Sequence, residues 1–182
     1  MIYYIHGYMS EPNSTKGTLF SKTLNVKAIK YRDCEPEELV ISDCIKRIKK
    51  EIENDDNAIL IGSSLGGLLA ARTALEKPNV KKIILLNPAI IPPSVDISKI
   101  KDMPIRILKD MKDNRLFEKK IDAEIYLLAG RWDDIVPNSW VDEFAKAQGV
   151  KVHFFDDDHS FSYNLDQLPQ IITSFLDKNI KK

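Results

Sequence analysis

Three of the chain's 7 glycines fall in one stretch, Gly62-Ser63-Ser64-Leu65-Gly66-Gly67. Ser64 sits at its centre, with a glycine two residues before and two after. This spacing suits a serine nucleophile on a sharp strand-to-helix turn, where side chains at the flanking positions would clash. The helix that follows presents its positive end to developing negative charge. A glycine-rich helix start that binds phosphate is the competing reading, but no lysine follows Gly67, so the phosphate-loop pattern is missing. A serine needs a base. The chain has 3 histidines. His153 lies inside an apolar run and reads as a packed or edge residue of a strand. His6 ends the first apolar run. His159, in the loop Asp156-Asp157-Asp158-His159-Ser160-Phe161, is the expected general base.

The base in turn needs an acid that fixes its tautomer and steadies the imidazolium formed during attack. Gly130-Arg131-Trp132-Asp133-Asp134-Ile135-Val136-Pro137 supplies it at another strand end. Asp133 is the first choice and Asp134 the alternative. Two backbone N–H groups should face the oxyanion. Leu65 is expected to give one. The loop His6-Gly7-Tyr8-Met9 gives the other, from Tyr8 first or Met9 second. Met9, Trp132 and Phe161 are expected to line a substrate pocket. No Cys-x-x-Cys or His-x-x-x-His pair marks a metal, and none is expected.

These parts need strand ends to hold them. Apolar runs and amphipathic stretches alternate along the chain. Strands are expected over 1–6, 26–31, 58–61, 82–86, 125–128 and 150–155. Helices are expected over 15–24, capped by Asn13 or Ser14, then from 35 to 52 opening on Glu35-Pro36-Glu37-Glu38, and over 65–75, 139–147 and 169–176, the last running into a basic tail. The result is an α/β fold with a mainly parallel sheet of about six strands flanked by helices. Pro88 to Ile121 interrupts the alternation and reads as a short helical excursion, at about 90–120, over one edge. One domain, 1–182, is expected.

Composition narrows the classes further. The 182 residues are 43% hydrophobic and 30% charged, and 27 basic residues balance 27 acidic ones. Zero net charge disfavours nucleic-acid and anionic-membrane partners, which need a basic excess. No apolar run approaches the ~20 residues of a membrane span. The first residues carry no basic leader, and Cys34 and Cys44 read as reduced thiols. A cytoplasmic location is the expectation. Oligomeric state is not legible.

The set Ser64, Asp133, His159, with His6-Gly7 near the start, resembles the α/β-hydrolase superfamily. The opening His6-Gly7-Tyr8-Met9-Ser10-Glu11-Pro12-Asn13-Ser14-Thr15-Lys16 is similar to that of the small YqiA-type esterases, as are Gly62 to Gly67 and Asn87-Pro88-Ala89. Retinoblastoma-binding-protein-9-like hydrolases are a second similar group. The resemblance implies the three-layer α/β-hydrolase fold, starting at the third strand of larger relatives. It implies hydrolysis of small short-chain acyl esters without a cofactor. An acyl-thioesterase uses the same parts, and a non-catalytic protein-binding member of the fold is the other alternative.

Overall fold

The computed structural model describes residues 1–177; the basic tail read from the sequence lies outside the described residues. Six strands form one sheet: β1 (Ile2–Ile5), β2 (Lys27–Ala28), β3 (Ala58–Ser63), β4 (Val80–Leu86), β5 (Glu124–Gly130) and β6 (Val152–Phe155). All neighbours pair in parallel, in the order β2-β1-β3-β4-β5-β6. The chain steps outward from β1 to β2, returns past β1 to β3, and then proceeds the other way. The direction therefore reverses between β1 and β3, the place where open parallel sheets bind ligands. Ile5, Gly62, Leu85 and Leu127 lie in one row of the register, so the loops after these strands share one edge.

Five longer helices cover the sheet: α1 (Thr15–Leu24), α2 (Ile41–Glu51), α3 (Leu65–Glu76), α6 (Asn138–Gln148) and α7 (Leu168–Leu176). Alternate strand residues feed the two faces, as the pleat requires. Ile5, Leu60, Ile83, Leu85 and Leu127 pack with α2, α3 and α6. Tyr4, Ile61, Ile84, Leu86 and Leu128 pack with Phe20 of α1 and with Leu168, Ile172 and Phe175 of α7. The three-layer reading thus holds.

Local chemistry explains the boundaries. Ser14 Oγ accepts from the Gly17 N–H at 3.3 Å and starts α1, and Asn25, with φ 52°, ends it. Gly149, with φ 72°, closes α6. The excursion consists of α4 (Ile105–Met111), α5 (Arg115–Glu118) and a 3₁₀ turn at Ile97–Lys99.

Two expectations need correction. The helix expected from residue 35 is a separate 3₁₀ turn, Pro36–Glu38, followed by extended Leu39 and Val40; α2 starts at Ile41. The Leu39 side chain is buried, and Arg106 of α4 donates to the carbonyls of Glu37 and Leu39, which a continuous helix would have used internally. The second strand is only Lys27–Ala28. Val26 and Ile29 beside it are buried, and the Ile29 N–H still reaches the Tyr4 carbonyl at 2.9 Å.

Candidate active site

Ser64 joins β3 to α3 with φ 54° and ψ −120°. An L-residue holds this conformation only when its surroundings fix it. Its N–H donates to the Leu86 carbonyl at 2.9 Å, and its own carbonyl accepts from Gly67 and Ala89 at 2.9 and 3.0 Å. The glycines allow the tight turn. A Cβ on Gly62 would lie 2.3 Å from the Gly66 carbonyl oxygen, and one on Gly66 would lie 2.0 Å from that of Ile5. Ser64 is half-buried and lines a cavity of about 660 Å³. That volume falls within the roughly 300–1,000 Å³ of small-molecule sites.

His159 lines the same cavity. Its Nδ1 lies 2.9 and 2.8 Å from the two carboxylate oxygens of Asp133, so Nδ1 carries the hydrogen and donates it. Nε2 is then the ring nitrogen available to take a proton. The Asp133 side chain is 1% exposed and that of His159 19%. Asp133 Oδ1 also accepts from the N–H groups of Ile135 and Val136, at 2.9 and 2.8 Å. Asp134 is exposed. The histidine loop is held by Asp157, which is fully buried and accepts from the N–H groups of Asp158, Tyr163 and Asn164 and from Asn164 Nδ2.

Leu65 is the first residue of α3, where an N–H has no partner within the helix. Tyr8 follows β1, and both residues line the cavity. The Gly7 carbonyl accepts from His6 Nδ1 at 2.9 Å and from the Tyr31 hydroxyl at 3.0 Å. A trans peptide points its N–H opposite to its carbonyl, so the Tyr8 N–H is turned away from these donors. Arg32, nearly buried, donates to the carbonyls of Tyr8, Ser10 and Cys34 and fixes the rest of the loop. His6 is buried and stacks on Tyr31 at 4.3 Å. Burial lowers its pKa, partly opposed by its bond to Gly7.

Of the expected pocket residues, Met9 lines the cavity and is 71% exposed. Phe161 is fully buried and packs with Tyr4, Leu168 and Ile172 in the core. Its φ of 57° marks a reversal of the loop just after His159. Trp132 is 57% exposed and meets Tyr163 edge-on at 5.8 Å. His153 lies in the edge strand β6, tilted against Phe175 at 5.1 Å.

Asn87 escaped the reading as a site residue. It is fully buried, donates to the carbonyls of Asp158 and His159 at 3.1 and 2.9 Å, and accepts from the Gly130 N–H at 2.8 Å. It thereby ties the acid and histidine loops to the end of β4. Its signal was a polar residue directly after a buried strand. Among the described residues, no group of three or more His, Cys, Asp or Glu is arranged to hold a metal ion.

Several solved structures share this fold. Est1E from Butyrivibrio proteoclasticus superposes with a TM-score of 0.79 at 17% identity, over 100% of this chain and 88% of its own. Alpha/beta hydrolase domain-containing protein 10 from mouse gives 0.74 at 19%, over 97% and 89%. A Paleococcus ferrophilus monoacylglycerol lipase gives 0.74 at 17%, over 96% and 93%. No curated protein matches the sequence. The fold is therefore that of the α/β hydrolases, as the resemblance of Ser64, Asp133 and His159 implied. Residues 1–177 match the model of the uncharacterised protein family UPF0227, and the chain belongs to that family.

Proposed function

We propose that this protein is a serine hydrolase of small carboxylic esters, with Ser64 as nucleophile, His159 as base and Asp133 as its orienting acid. The observation that carries this reading is the Asp133–His159 hydrogen bond beside the same cavity as a serine in a strained turn. Ser64 Oγ attacks the ester carbonyl and its proton passes to His159 Nε2. The N–H groups of Leu65 and Tyr8 receive the oxyanion. The C–O bond to the alcohol breaks, and His159 returns its proton to the departing oxygen. Water then attacks the acyl-serine, gives a proton to His159, and the acid leaves as Ser64 is reprotonated.

The wall of the cavity supports an acyl chain. Ile91, Ile100, Met103, Leu108, Met111 and Trp140 are among its lining residues. Neighbours of the same fold include a monoacylglycerol lipase and an Est1E structure with ferulic acid bound, which supports an ester substrate by analogy alone. The test is hydrolysis of p-nitrophenyl acyl esters from C2 to C12 by wild type and Ser64→Ala. Turnover should fall by about 10³-fold or more in the variant. A fluorophosphonate probe should label the wild type alone. Equal turnover by both proteins, or none by either together with no labelling, overturns the reading.

A further inference from the structure

We propose that Lys16 forms an anion subsite for the alcohol half of the substrate, so that the preferred esters carry a carboxylate or phosphate on the leaving group. This rests on the serine-hydrolase reading. Lys16 lines the same cavity as Ser64 and His159. It is half-buried, and burial lowers the pKa of its ammonium. Among the described residues, its ammonium makes no hydrogen bond and has no carboxylate within 4.0 Å. An anionic ligand in the cavity would give this ammonium a charge-assisted hydrogen-bond partner, among the stronger kinds of hydrogen bond.

The carboxylates that act on Lys16 from a distance are Asp157 and Asp158. Both are engaged elsewhere. Asp157 accepts from four nitrogens, and Asp158 Oδ1 accepts from the N–H groups of Ser160 and Ser162 at 2.9 and 3.0 Å. Asp102 also lines the cavity, as part of the excursion. Lys16 is thus the cavity's lysine, near acids that also hold backbone N–H groups of the histidine loop.

The cavity lining is mixed in chemistry. The excursion contributes Ile91, Ile100, Met103, Leu108 and Met111, with Asp102 as its one charged residue there. Ser10, Ser14, Thr15 and Lys16, before and at the start of α1, and Ser160 and Ser162, after His159, contribute polar groups. In the proposed reaction His159 protonates the departing oxygen, so the alcohol leaves on the histidine side. Lys16 lines the cavity together with His159, Ser160 and Ser162 of that loop, and the charges of Asp157 and Asp158 act on it. The acyl chain then meets the apolar residues of the excursion and the anion of the alcohol meets Lys16.

The test compares twin esters with one acyl group: 4-butanoyloxybenzoate and its neutral counterpart 4-butanoyloxybenzamide, with 4-butanoyloxyphenyl phosphate as the phosphate arm. Wild type should favour an anionic twin in kcat/KM by about tenfold, through KM. Lys16→Gln should bring that ratio close to one, and Lys16→Arg should restore most of it. Which anionic ester shows the larger preference separates carboxylate from phosphate. A ratio equal in wild type and Lys16→Gln, at matched thermal midpoints, overturns the subsite. Absence of turnover on every ester would be a failure of the serine-hydrolase reading instead. Calorimetric binding of 4-hydroxybenzoate and phenyl phosphate then decides the subsite: loss in Lys16→Gln supports it, and equal or absent binding in both proteins overturns it.

Discussion

Asp133 and Asp134 differ only in their surroundings, and those surroundings favour Asp133 as the proposed acid. Asp133 is shielded from water, takes two backbone N–H groups and meets His159 Nδ1 with both oxygens. Asp134 faces solvent. Under the proposed mechanism, Asp133→Asn should lower kcat on p-nitrophenyl butanoate by about 10³- to 10⁴-fold, because the imidazole loses its preferred tautomer. Asp134→Asn should stay within about twofold. A reversed pair of results would move the acid to Asp134. Two adjacent acids in one loop present the same sequence signal, so the choice between them rested on hydrogen bonds that only the folded loop forms. The strand-to-helix turn at Ser64 was easier to read, because its glycines are demanded by close backbone approach. Phe161 was misleading for the opposite reason. An aromatic next to the histidine loop suggests a pocket, but a positive φ turns that backbone and sends the ring into the core.

Elements position these side chains through a few rigid junctions. The β3–α3 turn is the tightest. A Cβ on Gly66 would meet the carbonyl oxygens of Ile5 and His6 at 2.0 and 2.6 Å, so β1 or α3 would have to move. Neither can yield cheaply, since backbone rather than a flexible side chain is struck. Gly66→Ala should therefore cost about 3 kcal/mol in urea unfolding and displace the loop that carries Tyr8. An unchanged unfolding midpoint would mean the turn is looser than its contacts indicate. The number of strands and their parallel pairing followed from the alternation of apolar runs with amphipathic ones, and α1, α3 and α6 fell where capping and glycine signals put them. The segment before α2 did not. Its acids and proline are good helix-starting residues, but Arg106, 67 residues from Leu39, claims the carbonyls that would continue the helix. Such long-range capture leaves no local trace.

At the scale of the whole molecule, the excursion must be fixed to the sheet layers, because it supplies much of the cavity's apolar wall. A charged network does this. The Arg115 side chain donates to both oxygens of Asp113, at 2.8 and 2.6 Å, and to Glu76 of α3 at 2.9 Å. Arg72, also in α3, lies 3.0 Å from Asp113 and donates to the Asp110 carbonyl at 2.8 Å. Asp113 has a side chain only 7% exposed. Burial raises its pKa, but the hydrogen bond from Arg115 and the charges of Arg72 and Arg115 outweigh that and lower it. A carboxyl lowered in the folded state binds its proton more readily in the unfolded chain. Its stabilisation is therefore complete well above the unfolded value of about 3.9 and is lost as pH falls through the folded one. Asp113→Asn removes the carboxylate shared by two arginines, which keep only Glu76 and the Asp110 carbonyl, and should cost about 1–2 kcal/mol at pH 7. The difference from wild type should narrow below about pH 4, where the unfolded chain binds the proton that the folded carboxyl still resists. Urea midpoints of the two proteins from pH 3 to 7 measure this. A gap that stays constant across the range would assign the cost to packing around α5 rather than to charge.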